Sequence, residues 1–275
     1  GSVQGIQMYA YTGITSADRR YAPWAKIDFD TTVTSVGNMY EGWPSNVVNI
    51  PETGYYWICI SIGKTDFNRN VPVYVLRNNK RSSWLAADLE NGTQISQGSV
   101  QWLRSGDQLK VKPITDVVVT DKSMLSVTFL GNNTPAFSGY LQGTVTRDKF
   151  IYYNIITTQN KLKQDPKTRE ITIKQTGQYL VFFSVDTSYN TKHILDNNAD
   201  LPYAELVLEI RFPSWKRFHQ LLSAYSKEGE PGSVGAVIRF YANTRLRIRR
   251  MRSVVSTGCR FAIVRIASSV ESGRF

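Results

Sequence analysis

Residues 53–61 read Thr-Gly-Tyr-Tyr-Trp-Ile-Cys-Ile-Ser: a turn glycine, then an unbroken run of β-branched and aromatic side chains, which favour a pleated, packed surface. Ahead of it, Val47-Val48-Asn49-Ile50-Pro51 is a short apolar run ended by a proline that cannot donate to a ladder. The local reading is strand, tight turn, strand, with the second strand apolar on both faces and therefore buried. The arrangement returns at Ile171-Thr172-Ile173-Lys174-Gln175, which leads into Thr176-Gly177-Gln178-Tyr179-Leu180-Val181-Phe182-Phe183-Ser184-Val185. Thr53-Gly54 falls on Thr176-Gly177, Tyr56 on Tyr179, Cys59 on Phe182 and Ser61 on Ser184. Two buried strands announced by the same turn predict two copies of one fold, and 275 residues suffice for two cores of ordinary size.

The rest of the chain repeats in the same order. Strands expected over 71–77, 99–103, 109–112 and 124–130 return at 205–211, 236–240, 246–249 and 261–266. The stretch Tyr9-Ala10-Tyr11 returns around 137–141, and a strand starting at Ile27 returns at Phe150-Ile151-Tyr152-Tyr153. No helical periodicity holds for more than about two turns; the nearest, Trp215 to Tyr225, has Arg, His and Gln breaking its apolar face. Many short strands without helices predict an all-β chain of antiparallel sandwiches, jelly roll or Greek key. Gly131-Asn132-Asn133-Thr134-Pro135 is all turn and breaker residues. The expected division is a first domain over 1–131, a linker over 132–135, a second domain over 136–268 and a tail over 269–275.

In its order of motifs the first unit resembles the C1q domain of the C1q/tumour necrosis factor superfamily. The resemblance rests on Phe29-Asp30, Gly54-Tyr55-Tyr56-Trp57, Leu76-Arg77-Asn78, Leu103-Arg104-Ser105-Gly106-Asp107-Gln108-Leu109 and Ser126-Val127-Thr128-Phe129-Leu130. The second unit keeps Gly177-Gln178-Tyr179-Leu180, but Asn243-Thr244-Arg245 replaces the Gly-Asp motif, and its likeness rests largely on the internal repeat. The resemblance implies two tandem C1q/TNF-like jelly-roll domains of the ten-stranded type, used for binding outside the cell or at its surface. It also implies homo-oligomers, commonly trimers around an axis lined with aromatic side chains. A monomer whose two heads pack on each other fits the sequence equally.

Charge separates the halves. Residues 1–135 hold 12 Lys+Arg against 11 Asp+Glu, whereas residues 136–275 hold 21 against 11. An excess so localised suits anionic partners such as a glycan or the acidic face of a protein receptor. Its densest part is Arg239 with Arg245, Arg247, Arg249, Arg250 and Arg252. Alternation with Leu246 and Ile248 places Arg245, Arg247 and Arg249 in a row on one strand face, spaced about 7 Å. Guanidinium forks suit carboxylate, sulfate and phosphate groups. Two competing readings are cross-strand pairing with Glu205, Glu209 or Asp200, and a charged edge that deters aggregation.

Loop tryptophans Trp24, Trp43 and Trp84 are candidate aromatic contacts for a ligand; the alternatives are a trimer axis or the joint between domains. Asp196-Asn197-Asn198-Ala199-Asp200 is rich in oxygen ligands, and Asp196 and Asp200 are candidate Ca²⁺ ligands without EF-hand spacing, the competing reading being an Asx turn. Asn91-Gly92-Thr93 and Asn132-Asn133-Thr134 fit the N-glycan acceptor pattern at Asn91 and Asn132. His193 and His219 show no zinc spacing, and no nucleophile elbow or phosphate-binding loop occurs. Cys59 is expected as a core thiol, unpaired with Cys259. No enzyme and no obligatory cofactor is expected. The expected function is non-enzymatic extracellular recognition through C1q-like heads, mainly the basic second one. The alternative is a structural assembly protein, a viral-type jelly-roll capsid or spike whose basic face meets nucleic acid.

Overall fold

A computed structural model describes residues 8–65, 71–80, 86–89, 94–143, 145, 148–186, 203–227, 231–252 and 259–268. The described residues form strands and connecting segments, with no helix among them. The first twelve strands are β1 (Ala10–Ile14), β2 (Arg19–Tyr21), β3 (Thr31–Val36), β4 (Tyr40–Glu41), β5 (Val47–Asn49), β6 (Gly54–Gly63), β7 (Val71–Arg77), β8 (Ala86–Leu89), β9 (Gln94–Leu103), β10 (Gln108–Pro113), β11 (Val117–Val119) and β12 (Met124–Gly131). They build two five-stranded sheets, β3-β1-β12-β6-β9 and β4-β5-β10-β7-β8, with β2 and β11 as a separate pair.

The chain continues through β13 (Ala136–Tyr140), β14 (Ile155–Asn160), β15 (Ile171–Thr172), β16 (Gly177–Val185), β17 (Tyr203–Arg211), β18 (His219–Lys227), β19 (Gly232–Phe240), β20 (Arg245–Arg252) and β21 (Arg260–Ser268). These form sheets β15-β20-β17-β18 and β19-β16-β21, with the β13–β14 pair beside β21 through Leu141 N–H to Cys259 O and Arg265 N–H to Pro135 O. All the named strand pairs are antiparallel, and the fold is that of β-sandwich domains. One hydrophobic core draws on residues from Tyr11 to Val127 and a second on residues from Phe137 to Ile263.

Sequence explains the layering. In β6 the core side takes Tyr56, Ile58 and Ile60, all fully buried, while Tyr55, Trp57, Cys59 and Ser61 form the opposite, half-buried face. Cys59 is therefore not a core thiol. It lies on the outward face, where partial burial still pushes its thiol up to about 11, and both cysteines are free.

Backbone contacts recur between the two halves. Tyr56 Oη donates to Glu52 O and Tyr179 Oη to Gln175 O, each anchoring the turn four residues earlier. The expected strand at Ile27 and its counterpart at Phe150 are not ladder strands. Each is an extended segment making one equivalent contact, Ile27 N–H to Val111 O and Ile151 N–H to Ile248 O, both 2.9 Å. Their side chains still fill the cores: Ile27 and Phe29 in the first, Ile151 and Tyr153 in the second. The expected match of 205–211 to 71–77 is displaced by one residue, because Leu208 lies opposite Ile248 as Val75 lies opposite Val111. Asn243 replaces Gly106 at a left-handed turn position (φ 70° and 89°), which asparagine tolerates better than most residues.

Candidate functional site

The two sandwiches meet through the free edge of β9. An edge strand leaves backbone N–H and C=O groups bare, and these need partners. At Val100 both are capped from the second sandwich: Ser138 Oγ accepts the N–H at 3.2 Å, and Thr158 Oγ1 donates to the carbonyl. Ser99 Oγ pairs with Ser138 Oγ at 3.1 Å, and Ser184 Oγ donates to Gln97 Oε1 at 2.8 Å. Val100, Ala136, Ala262 and Val264 form a buried apolar cluster around this polar ladder, with Tyr55, Trp57, Leu130 and Leu180 packed against it. Trp57 meets Phe182 edge-on at 5.8 Å between ring centroids. The aromatics of the joint are thus Tyr55, Trp57 and Phe182. Trp24 (42% exposed) and Trp43 (70% exposed) lie outside that cluster, and Arg19 stands over the Trp43 ring at 5.5 Å. The joint was not legible as such, because the outward face of a strand becomes an interface only when a second body packs there.

The arginine row lies on β20, between β15 and β17. Leu246 and Ile248 enter the core, so Arg245, Arg247 and Arg249 share the outer face. Directly opposite them on β17 stand Arg211, Glu209 and Val207. Glu209 is 3% exposed and serves two guanidinium groups: Arg247 Nη2 donates to Oε2 at 3.1 Å, and Arg249 Nη1 lies 3.6 Å from Oε1. Arg247 is also held between the rings of Phe150 (4.0 Å) and Phe218 (3.7 Å), a cation–π sandwich that fixes its plane. Arg245 pairs with Glu170 at 3.5 Å. Cross-strand pairing therefore takes up much of the row, with Glu209 as one expected partner and Glu170 as an unexpected one. Arg250 donates through Nε to Asp148 O at 3.0 Å. Arg252 lies opposite Glu205 in the backbone register, and its side chain is outside the described residues. Arg239 belongs elsewhere: it is on β19, in the other sheet, with its guanidinium over Tyr241 at 5.3 Å.

Beside the row, a cleft of about 370 Å³ is lined by Gln159, Lys161, Leu162, Lys163, Asp165, Glu170, Thr172 and Lys174. Thr172 lies opposite Arg245, so cleft and row are continuous across the β15–β20 pair. The lysines were not singled out from sequence, although the alternation Gln159-x-Lys161-x-Lys163-x-Asp165 was present to read. Trp84, Asn91, Asp196 and Asp200 lie outside the described residues, and Asn132 is exposed in the segment joining β12 to β13. Among the described residues no three His, Cys, Asp or Glu side chains are grouped to hold a metal ion.

Eiger TNF from S. frugiperda is a solved structure similar to this chain, at 13% identity and a TM-score of 0.39, covering 52% of this chain and 99% of that one. No protein-family model matches the chain, and no curated protein matches it by sequence.

Proposed function

We propose that the chain is a non-enzymatic recognition protein acting outside the cell or at its surface, built of two C1q/TNF-like heads. The second head presents a basic sheet face to an anionic glycan or to the acidic surface of a receptor. The observation that carries this reading is the charge on the outer side of β15, β20 and β17. Five cations, Lys174, Arg211, Arg245, Arg247 and Arg249, stand there against three carboxylates, Glu170, Glu205 and Glu209, on those three strands and the adjoining cleft arm, with the side chain of Arg252 undescribed. A sheet face with that excess attracts polyanions and orients them along the strands. Association of copies would multiply weak contacts into useful avidity.

The test is retention on an immobilised sulfated polysaccharide, eluted with salt. Wild-type protein is expected to be held at about 0.15 M salt. A variant with Lys163, Lys174, Arg245 and Arg249 each changed to Gln should flow through. An equal-charge control, with Lys26, Lys110, Lys112 and Lys122 of the first sandwich changed to Gln, should still be held. Flow-through of the wild type, or equal elution of both variants, sinks the reading.

A further inference from the structure

Within this reading, we infer that the cleft between the 159–165 arm and the 170–174 arm is the ligand's seat, and that its ligand is a short acidic saccharide carrying sulfate or carboxylate groups. The arginine row beside it is secondary, because its charge is largely answered from inside the protein.

The cleft is preformed. Leu162 (2% exposed) and Ile171 (3% exposed) anchor its two arms in the core, and alternation then turns Lys161, Lys163 and Asp165 outward. Gln164 pins the arm to the sandwich: its Nε2 donates to Ile151 O and Arg169 O, both at 2.9 Å, and its Oε1 accepts from Tyr153 N–H at 3.0 Å. The tip is closed by Asp165 N–H to Glu170 O and Arg169 N–H to Asp165 O, both 2.8 Å. A seat ordered before binding spares the ligand the cost of ordering it.

Its chemistry is mixed in the way a charged sugar requires. Lys163 and Lys174 are exposed and have no ion pair among the described residues, and Lys161 adds a third ammonium group, 3.4 Å from Asn133 O. Glu170 is answered by Arg245, so the cationic excess stays in the cleft. Gln159 and Thr172 can both donate and accept, and Asp165 offers Oδ2 to hydroxyl donors while Oδ1 accepts from Lys167 and Thr168 N–H groups. Among the described residues the lining contains no aromatic ring. Single-stranded nucleic acid is normally held by stacking on such rings, so the lining favours a saccharide. The volume lies at the lower end of ligand-sized sites, enough for a short segment.

The experiment titrates a fluorescent heparin-derived hexasaccharide into the full chain. Lys163→Gln/Lys174→Gln should weaken binding by about tenfold. Thr172→Trp, which fills the cleft without altering charge, should weaken it comparably, whereas Arg239→Gln/Arg249→Gln should change it by less than roughly threefold. Thermal melts confirm that each variant folds. If both cleft variants bind like wild type while the fourfold variant above fails to bind, the cleft is the wrong seat and the broader reading stands. If wild type does not bind at all, both fall. Displacement by a single-stranded oligonucleotide of equal charge at the same concentration overturns the saccharide assignment.

Discussion

Val100 and Val237 occupy the same place on equivalent edge strands, opposite Trp57 and Leu180 respectively, yet Val100 is fully buried and Val237 is 57% exposed. The first is covered because the second sandwich lies on β9; the second marks the corresponding edge, β19, left open. The complementary face survives on the first sandwich. The β1–β3 and β13–β14 pairs carry the same register shift, so Thr12 and Thr34 stand where Ser138 and Thr158 cap Val100, and Ser61 stands where Ser184 meets Gln97. Ser126 and Thr128 replace the apolar Ala262 and Val264, making this copy of the face more polar.

Copies of the chain are therefore expected to associate head to tail, β19 of one on the β1–β12 face of the next. An interface of two different surfaces closes into a ring when its rotation permits. Light scattering should give a mass above the 31.2 kDa of one chain, falling with dilution because the receiving face is polar. Val237→Asp should hold the mass at one chain. A single-chain mass for wild type at every concentration rules this assembly out.

Inside the chain, Val100→Asp would set a carboxylate among the apolar side chains of Ala136, Ala262 and Val264. Burying an unpaired charge costs about 3 kcal/mol or more. Each sandwich keeps its own core, so the expected result is loss of coupling: calorimetry should show the unfolding of wild type splitting into two transitions. One transition at the wild-type temperature would mean that the joint contributes little.

Much of this architecture is readable in the sequence because it is set locally. Glycine before an aromatic strand and period-two alternation in β10 and β20 need no knowledge of partners. What resists reading is set at a distance. The segment from Trp215 to Tyr225 looks nearest to a helix, yet His219–Lys227 is strand β18; a register shift at Leu208/Glu209 breaks its alternation. Ile27 and Ile151 fill cores without joining a ladder, a distinction that side-chain pattern does not carry. Arg245 and Glu170 meet across 75 positions, so a row of like charges in sequence is substantially paired in space.

Asp107 closes the turn before β10. Its carboxylate accepts from Arg104 N–H at 2.7 Å and Asn78 Nδ2 at 2.7 Å, and Arg77 Nη2 lies 2.7 Å away. Burial alone would raise its pKa, but the Arg104 N–H, the Asn78 amide and the Arg77 charge outweigh it, leaving the group below its ordinary 3.8. A depressed folded value means stabilisation that is complete above the unfolded value and lost as pH falls through the folded one. Asp107→Asn should cost roughly 1–3 kcal/mol at neutral pH, and the gap from wild type should narrow only below about pH 4. A gap unchanged down to pH 2 would show that the charge is not what stabilises the turn. Thr244, at the same place in the second sandwich, has no charge to titrate.

The glycines that open the two repeated strands are required by backbone, not by turn conformation. A Cβ on Gly54 would lie 2.7 Å from Gly131 O, and one on Gly177 would lie 2.6 Å from Ala267 O. Each neighbour is main chain on the closing strand, next to a register shift in the β6–β12 and β16–β21 pairs, and cannot rotate aside as a side chain would. Gly54→Ala and Gly177→Ala should therefore each destabilise by about 1–3 kcal/mol. Gly235 on exposed β19 is the internal contrast: its added Cβ would meet Phe182 Cδ2 at 3.5 Å and Val181 O at 3.7 Å, ordinary contacts. There alanine removes backbone freedom from the unfolded chain and should stabilise by about 0.5 kcal/mol. Denaturant titrations of the three variants should give two losses and one gain. Equal shifts for all three would mean that strand glycines act here through chain entropy alone, and the close approach at Gly54 and Gly177 would not be what fixes them.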